Sequence, residues 1–198
     1  MRFPRATNLV FGFEHQGGAR RFLGDLEARM RKFGLTLHPE KTRLIEFGRF
    51  AVENRKRRGL GKPETFDFLG FTYMCGTTYP MKRFIVRRKT VAKRLRNKLR
   101  EVKELLRAKL HDPIDEVGKW LGAVVQGHMN YYAVPGNINS IDSFKAQVTR
   151  HWLRSLRRRS QRHRMHWGRF RHFVDKYLPK SRVVHPYPYI RFHAIHSK

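Results

Sequence analysis

Apolar positions along the chain follow two rhythms, a mixture of short runs and alternation before residue 89 and a helical period after it. NLVFGF, at residues 8–13, has the aromatic-rich look of a buried strand and predicts one there. Residues 16–33 repeat apolar side chains at helical spacing, with Phe22, Leu26, Met30 and Phe33 on one face, and Gly34 is placed to stop that helix. Short apolar segments at Leu35–Leu37 and Arg43–Phe47, separated by the turn-like HPEK, predict two further strands. Residues 50–64 carry the basic run Arg55, Lys56, Arg57 and Arg58, then Gly59, Gly61 and Pro63, and read as an exposed loop. FDFLGFTYMCG alternates as strand does, and Gly70 within it marks a spot where a side chain would obstruct something. A returning strand is expected at Arg83–Arg88 after the GTTYP turn.

From Thr90, a residue suited to cap a helix, Val91, Leu95, Leu99, Val102 and Leu106 share a face. Asp112-Pro113 predicts the next helix start, with Asp115 and Glu116 in the first turn, where the helix dipole favours acids. Its stripe is Val117, Trp120, Leu121, Val124, Val125 and His128. A break at Pro135–Asn137 precedes a third helix over about 140–159, with Ile141, Phe144, Val148, Trp152 and Leu156 aligned, and a short fourth is expected near 167–177. The fold class is therefore α+β: a partial sheet with one helix over 1–88, an all-helical basic bundle over 89–178, and a Pro- and aromatic-rich basic tail over 179–198.

Charge changes the picture more than any other property. Forty-four Lys and Arg face fifteen Asp and Glu, a net +29. That excess predicts a polyanionic partner. Residues 1–80 hold 15 basic and 8 acidic side chains, a net +7, so +22 resides in 81–198. No apolar run approaches a membrane span, and aromatic residues interleaved with Arg and Lys favour nucleic acid over a lipid surface. Cys75 stands alone, which excludes an internal disulfide and a multi-cysteine zinc site and makes a reducing, cytoplasmic location the expectation. The first residues lack the continuous apolar segment of a signal peptide.

Four phrases, GLTLHPEKTRLIEFGRFA, KPETFDFLGFTY, GHMNYYAVPGN and HWLRSLRRRS, resemble in order the end of the palm, the thumb and the maturase-specific region of group II intron reverse transcriptases. The resemblance covers nearly the whole chain from about residue 9. It implies that Phe68, Leu69 and Gly70 form a primer-grip-like turn, although an ordinary core hairpin would read the same from these residues. Lys41, in HPEKT, matches a lysine-bearing turn of the palm and could meet phosphate or simply be solvated. The implied RNA contacts are Lys41, the basic run Arg55, Lys56, Arg57 and Arg58, then Lys93, Arg94, Arg96, Lys98 and Arg100, and a second helical cluster, Arg154, Arg157, Arg158 and Arg159. Of Tyr131 and Tyr132, one is expected in the core and the other, with Tyr132 the candidate, is open to stacking on unpaired bases. Trp120 and Trp152 are expected to pack.

The same resemblance weakens any claim to polymerase chemistry. The family holds two metal ions on an aromatic-Ala-Asp-Asp turn just before a strand like NLVFGF, and Arg5-Ala6-Thr7-Asn8 stands in that register. Neutral Thr7 and Asn8 cannot offset two dications as carboxylates do. The family's third carboxylate lies on a strand upstream of where this sequence begins, so the expectation is no catalytic residues and no metal, with Mg²⁺ relevant only if another polypeptide completes the site. Asp25 and Glu27 sit on an outward helix face with no attendant nucleophile. His163, His166 and His172 lie among Arg and Lys, which disfavours a metal, and paired Cys motifs of a zinc-bearing endonuclease are absent from the sequence.

Three readings follow. The chain binds group II intron RNA and assists its folding and splicing without polymerising. Alternatively it is the C-terminal piece of a split RNA-directed DNA polymerase, gripping an RNA/DNA duplex once a separately encoded upstream fragment joins it. The third is a non-functional remnant of such a mobile element.

Overall fold

The computed structural model describes residues 9–159 and 165–187. Its elements in chain order are α1 (Gln16–Lys32), α2 (Ala51–Arg57), β1 (Phe66–Phe68), β2 (Phe71–Thr77), β3 (Phe84–Thr90), α3 (Ala92–Ala108), α4 (Ile114–Tyr132), α5 (Ile138–Arg157) and α6 (Trp167–Tyr177). The three strands form one antiparallel sheet in the order β1-β2-β3, and with the six helices this is an α+β fold. The chain divides into two compact units. One runs to Phe68 and takes in Met74–Val86; the other consists of Leu69–Tyr73 and the described chain from Arg87 on.

In the first unit α1 forms where its period places it, and Gly34, at φ +67°, takes the left-handed conformation that ends it. The strands expected before β1 do not form. Residues 9–13, 35–37 and 43–47 carry no strand, because a strand exists only as a member of a hydrogen-bonded ladder and these segments have no ladder partner among the described residues. Phe11 and Phe13 instead fold onto Phe22 of α1, at ring-centroid distances of 4.7 and 5.1 Å. The loop expected at 50–64 is in part helix: AVENRKR makes α2, supported by the Glu53–Arg57 pair at 2.6 Å, one turn apart. Only Ala19 and Ala51 are buried among this unit's described residues.

The second unit is densely packed. Val102, Leu106, Val117, Leu121, Val125, Met129, Ile141, Phe144, Val148, Trp152 and Phe170 meet in one core, drawn from four helices. Every position of the stripe expected in the third helix is buried, and Trp152 sets its ring edge-on to Phe170 at 5.2 Å. Trp120 packs against the same core from its margin. Each of these large side chains contributes on the order of 1.5–3 kcal/mol by leaving water.

Two helix starts differ from expectation. Thr90 is not the cap of α3, since Val91 occupies that position. Its backbone N–H and hydroxyl are both engaged by the buried side chain of Asn137. Asp112 does not cap α4 either; Pro113 takes that place, and the Asp112 carboxylate pairs with Lys109 at 3.0 Å.

α3 and α5 run parallel. Asn137, just ahead of α5, accepts from the Thr90 N–H at 3.0 Å through Oδ1, and its Nδ2 donates to Thr90 Oγ1 and the Tyr132 carbonyl, both at 2.8 Å. At the other end the Ser155 hydroxyl donates to the Leu106 carbonyl at 3.3 Å. α4 and α6 approach closely through glycine: a Cβ on Gly118 would lie 2.5 Å from the Tyr177 ring, and one on Gly122 2.5 Å from the Tyr177 carbonyl oxygen. Asp115 accepts from the Tyr177 hydroxyl and pairs with Lys176 at 3.5 Å, holding the end of α6 to the start of α4. These two donors hold the Asp115 carboxyl below its ordinary range. The start of the tail returns to the bundle, where Val184 N–H donates to the Ala133 carbonyl at 2.9 Å.

Candidate nucleic-acid interface

The basic stripe of α3 follows from its amphipathic sequence. Leu99, Val102 and Leu106 face inward, so Lys93, Arg94, Arg96 and Arg100 project into solvent. Among the described residues none of these four has a carboxylate within ion-pair distance; Lys98 alone of the expected group is paired, with Glu101 at 2.8 Å. The parallel partner α5 ends in Arg154, Arg157 and Arg158, all exposed, with Arg157 Nε donating to the Met165 carbonyl at 3.0 Å. Arg159 is half-buried, and burial pushes its guanidinium below the ordinary value.

Parallel packing places Lys103, one turn before Leu106, beside His151, one turn before Ser155. His151 is held below its ordinary pKa by burial first, then by Arg154 and Lys103. The two clusters that the sequence presents far apart are thus on neighbouring helices, joined along their length by Lys103, Arg107 and His151. Neither Lys103 nor His151 stood out in sequence as a site residue, because the pairing of α3 with α5 has no local signal.

The primer-grip-like stretch is a tight two-residue turn between β1 and β2. Leu69 at φ +45° and Gly70 at φ +82° both adopt positive φ, as the twist of a two-residue hairpin requires. Gly70 has the obstruction expected of it: a Cβ there would stand 3.0 Å from Tyr132 Oη and 3.1 Å from Arg94 Nη1. Leu69 is 60% exposed, and its carbonyl accepts from the Tyr131 hydroxyl at 2.9 Å. Gly70 offers its carbonyl to the Val91 N–H at 3.0 Å, and Phe71 stacks on Tyr131 at 6.1 Å. Phe68 closes β1 and belongs to the first unit. Of the tyrosine pair, Tyr132 packs against the core, with its ring 4.6 Å from that of His128, and Tyr131 is the exposed one, at 49%.

The basic run of the first unit is differently occupied. Arg55 donates to the Gly61 carbonyl at 3.0 Å and approaches Glu64 at 4.0 Å; Arg57 pairs with Glu53, and Arg58 with Glu46. Lys41, in the His38–Thr42 turn, and Lys56 are exposed. Thr7 and Asn8, in the register of the family's aspartates, lie outside the described residues, as does His163. His166 and His172 are exposed at and within α6, and among the described residues no three His, Cys, Asp or Glu side chains converge as a metal site would need. No described helix is long and apolar enough to cross a membrane.

Between α3 and α4 lies a groove of about 350 Å³ lined by Arg94, Lys98, Ala123, Val124, Gly127, His128 and Tyr132. His128 is 7% exposed and stacks on Phe144 at 3.8 Å, and its buried Nε2 has no hydrogen-bond partner among the described residues. Burial, assisted by the Lys98 charge, pushes the imidazole down to about 4, so the ring is neutral at physiological pH.

Comparison of the chain with family models, with curated proteins and with solved structures finds no match.

Proposed function

We propose that the chain is an RNA-binding protein of the group II intron reverse transcriptase and maturase kind, which grips folded intron RNA with the outer faces of α3 and α5 and has no polymerase activity by itself. The observation that carries this reading is the parallel packing of α3 and α5, which leaves Lys93, Arg94, Arg96, Arg100, Arg154 and Arg158 exposed and without carboxylate partners among the described residues. Unpaired cations on rigid helices meet a phosphate backbone without first breaking internal ion pairs, and they position the protein on RNA without reading sequence. Selectivity for one intron then comes from the RNA's shape.

Filter binding of intron RNA and of an unrelated structured RNA over a salt series tests this. Affinity should fall steeply with salt, and intron RNA should bind more tightly. In the double variant Lys93→Ala, Arg100→Ala the salt slope should fall by about one for each phosphate that is no longer neutralised. Equal affinity for the two RNAs at every salt concentration removes the maturase part of the proposal.

A second reading has its own support. The first unit leaves Leu9, Val10, Phe11, Phe13, Phe33 and Leu35 exposed, apolar side chains that a partner polypeptide would cover. In this reading the chain is one piece of a split RNA-directed DNA polymerase holding an RNA/DNA duplex, with Mg²⁺ bound by the other piece. Primer extension with Mg²⁺ after mixing with any product encoded just upstream decides it, and no extension in the mixture removes it.

A further inference from the structure

α4 carries glycines at 118, 122 and 127, and the structure accounts for two of them. Tyr177 occupies the space that a side chain at Gly118 or Gly122 would need, whereas a Cβ on Gly127 would meet nothing within 4 Å. Glycine weakens a helix interior, so one that no protein atom crowds is unexplained by packing. Gly127 opens onto the groove between α3 and α4, where Ala123 is the neighbouring small residue one turn away. Arg94 lines it with no carboxylate partner among the described residues, beside Lys98, whose exposed ammonium pairs with Glu101. His128 contributes a neutral ring, and Tyr132 a second aromatic ring. At about 350 Å³ the groove is too roomy for a phosphate alone and falls at the lower end of small-ligand sites.

We propose that this groove binds one nucleotide. An unpaired base slides along Gly127 and Ala123 against the aromatic edges of Tyr132 and His128, and its phosphate is held by Arg94 together with Lys98, which gives up its exposed pairing with Glu101. Two cations flanking flat apolar and aromatic walls are the pairing that nucleotide recognition uses. Where the nucleotide belongs to a bound strand, the inference rests on the RNA-binding reading above; a free nucleotide offers the same chemistry.

The test uses the full chain and the variant Gly127→Leu, whose side chain fills the groove from a position where nothing resists it. Wild type and variant should melt alike. Titration with adenosine monophosphate should move the amide resonances of residues 123–128 in the wild type and leave them unmoved in the variant. A hairpin RNA with a single bulged adenine should bind the wild type roughly tenfold more tightly than the variant, the difference expected for one stacked base, while the same hairpin without the bulge binds both equally. If neither the mononucleotide nor the bulge distinguishes the two proteins while hairpin binding persists, the groove is not a nucleotide site and the RNA-binding reading stands. If the mononucleotide binds in the groove and neither hairpin binds at all, the site takes free nucleotide and the RNA-binding reading falls. If none of the three binds, both are overturned.

Discussion

The two units differ most in what their aromatic rings touch. In the second, Phe144, Trp152 and Phe170 are wholly enclosed and Phe144 lies against the His128 ring. In the first, Phe11, Phe13, Phe33 and Phe50 remain exposed, Phe11 and Phe13 resting on the ring of Phe22. Both units contain amphipathic helices, so periodicity alone does not produce a core. α3, α4, α5 and α6 each present an apolar face to another helix of the set, whereas the face of α1 that carries Phe22, Leu26 and Met30 stays partly open. Rigidity and charge therefore coincide in the second unit, where unpaired cations stand on a packed scaffold, while Arg55, Arg57 and Arg58 of the first are engaged in local ion pairs.

The widest separation between the units should come from truncating one phenylalanine in each. Phe144→Ala should destabilise by about 3–5 kcal/mol in urea titration, as emptying a packed aromatic site does. Phe33→Ala, at a side chain 71% exposed, should cost less than about 0.5 kcal/mol. Similar costs at the two positions would mean that the first unit is better packed than its exposure indicates.

A smaller effect is expected from acid. His128 has a folded pKa of about 4 against an ordinary 6.5, so between those values the unfolded chain binds the extra proton. The stabilisation is complete above pH 6.5, is lost as pH falls through that window, and saturates near pH 4, a change of up to about 3 kcal/mol. Urea titrations at about pH 7 and about pH 4.5, on either side of most of that window, should show it. His128→Phe, which keeps a ring on Phe144, should remove most of it. An unchanged pH dependence in the variant would move the cause to other groups, with His151 the next to examine because its pKa is also lowered.

The smallest of the three tests the clamp rather than the core. Asn137→Ala removes one acceptor and two donated hydrogen bonds at a site 1% exposed and strands the Thr90 N–H, which should cost about 2 kcal/mol. Because Asn137 ties Thr90 to the start of α5, the destabilisation should appear as faster amide exchange at the N-terminal ends of α3 and α5, with the Leu106–Ser155 end less affected. Uniform acceleration would show that the parallel pairing does not depend on the clamp.

Much of the second unit was legible along the chain. The stripes of α3, α4 and α5 and the stop at Gly34 each follow from local chemistry: an apolar spacing of about 3.6 residues, or a backbone conformation that only glycine adopts freely. The excess of cations over 81–198 required only counting. The strands expected at 8–13, 35–37 and 43–47 were not decidable in this way, because a strand is a property of a pair, and the partner is not written in the segment. The same holds for the site. That Lys103 stands by His151, that Asn137 bonds Thr90 47 residues away, and that Gly118 and Gly122 are filled by Tyr177 while Gly127 is left open are outcomes of how helices pack. Sequence determined which faces are apolar and where positive charge accumulates, since both are fixed by residue type and spacing. Tertiary structure alone decided which cations stay unpaired and which glycine faces a groove, because those depend on which faces meet.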